Sequence, residues 1–200
     1  MKRSLTSREE LVLHEAGHLV AITTIPELSA ESFVWHRLAD YEIAHVESVE
    51  SQKFDWECAT ERNQMIVNQV VVALAGGAAA NVLGATKRLE SFSIESLYNL
   101  IGGVDFELAH EWLAMQRYDP HQRSIENEIE RLFLEVRDLL ALPVHQAAIF
   151  SVAGKLLEHL READGTGVNH LQLSTQRLLD GVIVDRARNF SLVSTLQQNL

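Results

Sequence analysis

The chain has 200 residues, 46% apolar and 22% charged, which suits one globular domain with a sizeable core. Its 28 acidic against 17 basic residues give a net charge of −11, a poor match to nucleic acid or an anionic membrane surface. Cys58 stands alone, so an internal disulfide and a CxxC site are excluded, in keeping with a reducing, cytoplasmic type of compartment.

The first residues, Met1-Lys2-Arg3-Ser4, carry charge, but no apolar run follows. Glu9 and Glu10 arrive too early for a secretory signal. Ser7 and Glu10 have the spacing of a capping box, which predicts a helix from about Arg8 to Thr23, stopped by Pro26. From Leu11 to Ile22 this helix is apolar apart from His14, Glu15 and His18. At helical pitch those three share one arc of roughly 100°. A polar arc on a buried helix needs something to satisfy it.

Residues 31–50 are β-friendly, with Phe33, Val34, Trp35, Ile43 and Val46 around an Ala39-Asp40 turn, and predict a hairpin or two edge strands. A long helix is expected from about Asp55 to Leu83, stopped by Gly84. Its apolar stretch, Val70 to Ala85, is short for a membrane span and contains Gly76, Gly77 and Asn81. Gly76 and Gly77 would allow another helix to come close. Residues 86–103 look irregular. Further helices are expected from Val104 to Arg117, from Ser124 to Leu140, and from Pro143 to just before Gly165, with Asn169 capping a short last one. The sum is a mostly α domain over residues 1–200, core about 8–185 and tail 186–200, with a small β element near its site.

His14-Glu15-Ala16-Gly17-His18 reads H-E-x-x-H. Two histidines four apart stack on one helix face and can both reach one Zn²⁺ at about 2.0–2.1 Å. Glu15 lies beside them and can serve as general base for peptide-bond hydrolysis. A catalytic zinc takes a third protein ligand. The H-E-x-x-H-x-x-G-x-x-H pattern is excluded, because Ala21 and Thr24 stand where Gly and His would be needed. Asp105 is the best candidate: it falls in the middle of an apolar stripe of Phe106, Leu108, Ala109, Trp112, Leu113 and Met115, where a carboxylate is unfavourable unless paired, capping or metal-bound. Its competing role is as a helix N-cap. His45 could line the site. His36, His121, His145, His159 and His170 lack ligand spacing and read as surface or helix-end residues, and Cys58 as a helix-packing residue. Nucleophile-elbow, phosphate-loop and dinucleotide motifs are absent from the sequence.

These motifs, in this order, resemble the zinc peptidase domain of the FtsH family of ATP-dependent membrane proteases. His14 to His18 resembles its H-E-A-G-H helix, and Thr24-Ile25-Pro26 its following I-P segment. Ala75-Gly76-Gly77-Ala78-Ala79 resembles its G-G-R-A-A helix, and Gly103 to Ala109 the segment bearing its third zinc ligand. The paired helices between Ser124 and Leu160 resemble its C-terminal helices. The resemblance implies that His14, His18 and Asp105 bind zinc and that Glu15 is the base. It departs from the family at Ala78, Ala80-Asn81 and Val104, and in lacking the ATPase module and membrane helices. The expected activity is therefore cleavage of peptides or already unfolded segments, with a separate ATPase or self-association as partner. The alternative is a catalytically inactive zinc-binding adaptor built on the same fold.

Overall fold

The computed structural model describes residues 7–39, 41–50, 55–84, 94–115 and 124–184. Helix α1 (Ser7–Thr24) begins one residue before the expected start. After Pro26 the chain enters the hairpin: β1 (Leu28–Arg37) and β2 (Glu42–Glu50) pair antiparallel. The turn closes through Leu38 N–H donating to the Tyr41 carbonyl at 2.9 Å.

Helix α2 (Ala59–Leu83) starts four residues later than its sequence suggests. Asp55 holds the preceding residues in a turn: its carbonyl accepts from Cys58 N–H at 3.0 Å and its Oδ1 from Glu57 N–H at 3.0 Å. Cys58 thus stands at the N-cap position rather than packing inside the helix. Gly84 ends α2 in an extended conformation. With 25 residues, α2 is long and apolar enough to cross a membrane, contrary to the expectation from Val70–Ala85, but 72% of its most apolar window is buried within this fold. Its neighbours there are α1 and the helices described next.

The segment expected to be irregular contains a helix, α3 (Ile94–Ile101). Leu97 and Ile101, one turn apart, are fully buried, and removing two such side chains from water stabilises the element by about 1.5–3 kcal/mol each. Helix α4 (Gly103–Ala114) follows after one residue. Helix α5 (Ile125–Leu140) is capped by Ser124, whose hydroxyl accepts from Asn127 N–H. Helix α6 (Pro143–Thr166) runs through Gly165, and Gly167 closes it with a positive φ of 70°. The α5–α6 corner turns by 85°. His145, in the first turn of α6, is the helix-end residue that its sequence allowed but not a surface one: it is fully buried, its Nδ1–H donating to the Leu139 carbonyl at 2.9 Å.

Asn169 does not cap a helix. Its carbonyl accepts from Arg37 N–H at 2.9 Å and leads into a third strand, β3 (His170–Ser174), on the open edge of β1. The last helix, α7 (Thr175–Leu179), comes only afterwards. The result is a mostly helical domain with a three-stranded antiparallel sheet in the order β2-β1-β3. Phe33 and Trp35 form its inner face, with Ala44, Val46, Leu171 and Leu173 packed against the same core. Both α1 and α2 are buried at the centre of that core. The tail expected over 186–200, His121, and the helix end expected at Arg117 lie outside the described residues.

Candidate metal centre

The polar arc of α1 opens into a cleft of about 1430 Å³. Its walls come from α1, β2, α2 and the α3–α4 junction. Consecutive residues Glu42 to Val46 all line it, so β2 presents its edge, unpaired among the described residues, rather than one face. His45 sits on that rim with its side chain about half exposed.

His14, His18 and Asp105 meet in this cleft. His14 Nε2 lies 2.8 Å from Asp105 Oδ2, His18 Nε2 lies 3.2 Å from it, and the two Nε2 atoms are 3.0 Å apart. Ligands held tetrahedrally by one zinc would be about 3.3 Å apart. His18 Nδ1–H donates to the Val72 carbonyl at 2.8 Å, which fixes the tautomer and leaves the Nε2 lone pair aimed at the carboxylate. Two acceptors pointed at one spot require a cation or a proton between them. The three residues therefore form a donor set that can hold a metal ion.

The electrostatics carry the same signature. Burial alone would lower the His18 pKa, but the Asp105 hydrogen bond and the charges of Asp105 and Glu15 outweigh it and raise it to about 9. Burial would raise Asp105, yet its contacts with His14 and His18 hold it well below the usual carboxylate range. Glu15 is buried, and desolvation pushes its carboxyl up, with only partial relief from His18 and His14. Its Oε2 is buried with no hydrogen-bond partner among the described residues. A desolvated carboxylate one residue from His14 and lining the same cleft is a candidate for proton transfer.

Asp105 reaches the site differently from the way the apolar stripe suggested. The core side of α4 is Phe106, Ala109 and Leu113, while Leu108 and Met115 are exposed. Asp105 thus flanks the buried stripe on its cleft side. It does not cap the helix either: the N-cap is Gly102 and Asp105 is the third helical residue. Gly102 joins α3 to α4 with φ 99°, a conformation that favours glycine. An added Cβ there would lie 3.7 Å from both Asp105 Oδ2 and His14 Cε1, so this turn borders the ligands directly.

Two contributors escaped the sequence-based expectations. Val72 supplies only a carbonyl, which leaves no mark on residue type. Gly76, one turn further along α2, was assigned to helix approach, but a Cβ there would fall 2.5 Å from His14 Nε2 and nearer still to His18 Nε2. Its absence makes room for the imidazoles. Close helix approach belongs to Gly77, against Ile101 and the Leu100 carbonyl of α3, and to Gly17, whose Cβ would strike the Ala75 carbonyl. The one signal that could have found Gly76 is a glycine in mid-helix, disfavoured there by about 1 kcal/mol relative to alanine.

Comparison with models of known protein families finds none that matches this chain. Comparison with curated proteins finds no significant relative.

Proposed function

We propose that the protein is a zinc-dependent peptidase acting on peptides or unfolded segments. The observation that carries this is the junction of two features: a three-atom His–His–Asp donor set, and beside it in an open cleft a buried Glu15 whose Oε2 has no hydrogen-bond partner among the described residues. The H-E-x-x-H spacing and the resemblance to the FtsH-type peptidase domain support the same reading. Zinc is the metal that suits two imidazoles and one carboxylate with a position left for substrate.

His14 Nε2, His18 Nε2 and Asp105 would hold the ion, with the Val72 carbonyl keeping the His18 ring in register. Bound zinc would supply Lewis acidity, polarising the scissile carbonyl and easing deprotonation of the attacking water. Glu15 takes the proton from that water on its carboxylate and delivers it to the leaving amine nitrogen. Its desolvated position raises its basicity toward that task. The free edge of β2 offers unpaired backbone groups along the cleft, so an extended peptide can add as a further strand across the site.

The test pairs elemental analysis with an assay on unstructured peptides, for wild type and Glu15→Gln. The expected result is at least one equivalent of zinc in both, equal between them, and a loss of turnover of about 10²-fold or more in the variant. Absence of zinc under metal-replete conditions overturns the proposal. Zinc without turnover above the Glu15→Gln background, across a broad peptide library, overturns the catalytic reading in favour of a zinc-binding adaptor.

A further inference from the structure

The outer face of the sheet carries a second pair of converging imidazoles. His36 on β1 and His170 on β3 are direct cross-strand partners, the last pair in their ladder. Arg37 N–H donating to the Asn169 carbonyl at 2.9 Å fixes the backbone beside them. Their Nδ1 atoms are 3.1 Å apart, with ring centroids at 4.4 Å and planes tilted by 39°. A head-to-head N–H···N hydrogen bond at this separation would hold the centroids roughly 5.4 Å apart. The shorter spacing shows that the rings meet at a bent angle, so an ion that displaces the shared proton can sit off the N···N line and reach both nitrogens. With bonds of about 2.0–2.1 Å, a 3.1 Å separation gives an angle of about 100° at the ion, which suits tetrahedral or square-planar coordination. The strongest nearby positive charge is turned away: the Arg37 guanidinium lies over Trp35 on the opposite face and pairs with Asp164 and Glu42.

We propose that His36 and His170 form a second, solvent-facing site for a divalent transition metal, chelated by the two Nδ1 atoms and completed by water. Its ion would be exchangeable, since only two protein ligands hold it. It would clip β3 to β1 and so tie the C-terminal β3–α7 segment to the sheet whose far edge borders the cleft. The site is independent of the peptidase proposal and of whether the His14 site is loaded.

The experiment is equilibrium dialysis of the full chain against Zn²⁺ alone, repeated with Ni²⁺ alone, for wild type, His36→Gln, His170→Gln and His45→Gln. His45 lies on the same exposed face of β2 and serves as the control. The expected result is that His36→Gln and His170→Gln each weaken one equivalent by about tenfold or more relative to wild type, while His45→Gln leaves it unchanged. Circular dichroism checks that the variants stay folded, and these partly exposed positions give two separate chances of a folded one. Metal stoichiometry and affinity equal to wild type in both variants overturn the proposal. So does loss of the same equivalent in His45→Gln.

Discussion

Replacing Gly76 by alanine separates the metal site from the fold. The new Cβ would lie 2.5 Å from His14 Nε2 and 2.7 Å from His14 Cδ2, and closer still to His18 Nε2, whereas ordinary contact begins near 3.4 Å. The ring tips must therefore retreat by about 1 Å. They are side-chain ends, so the imidazoles turn while α2 stays in place. Metal coordination tolerates ligand shifts of only about 0.2 Å, and zinc affinity should fall by about 100-fold or more. Stability of the metal-free protein should barely move above about pH 9, where the His18–Asp105 contribution is already lost: alanine favours a helix interior by about 1 kcal/mol over glycine, and the displaced rings give back about 1 kcal/mol in rotamer strain. Gly77→Ala is the contrast. Its Cβ meets backbone, 2.5 Å from Ile101 Cα and 2.8 Å from the Leu100 carbonyl, and should destabilise the fold by about 2–3 kcal/mol. Competition with a chromophoric chelator measures the affinity, and thermal unfolding of metal-free protein measures the stability. Wild-type zinc affinity in Gly76→Ala, or a stability loss as large as that of Gly77→Ala, refutes the reasoning.

Zinc binding at pH 7 should release a proton from His18. Its pKa is raised from 6.5 to about 9 in the metal-free protein, so the stability it contributes is complete below pH 6.5 and disappears as pH rises through about 9. Metal-free protein should therefore lose stability across that window, and calorimetry in buffers of different ionisation enthalpy should count the released proton; a count of zero rejects the assignment. His145→Ala should destabilise the protein by about 2–3 kcal/mol by removing its buried hydrogen bond to the Leu139 carbonyl and leaving a cavity at the α5–α6 corner. Its zinc content should be unchanged, and a loss below about 0.5 kcal/mol in urea unfolding would contradict the buried corner.

The local grammar of the chain was largely legible. The hairpin showed in its β-branched and aromatic residues, and α5 in its apolar spacing. What local pattern missed depends on neighbours far along the chain. The His-Leu-Gln-Leu-Ser alternation of β3 is too short to announce a strand until β1 offers an open edge. Helix α3 is only eight residues, too short to stand alone, and is held by Leu97 and Ile101 in the core. Leu108 and Met115 misled in the opposite direction, since apolar type at helical spacing does not guarantee cover.

For the site, the sequence by itself determined that His14, Glu15 and His18 share one face of one helix, because helical pitch alone places residues four apart together. It also singled out Asp105, although by way of a stripe whose centre lies elsewhere. Only the tertiary structure decided that Asp105 flanks the core and meets both imidazoles, because that depends on the positive φ of Gly102 and the packing of α4 against α2. Only the fold, too, could bring a backbone carbonyl at Val72 to His18 and a missing side chain at Gly76 beneath both rings. Neither a carbonyl nor an absent Cβ is written in residue type; each acts through where the backbone lies in space.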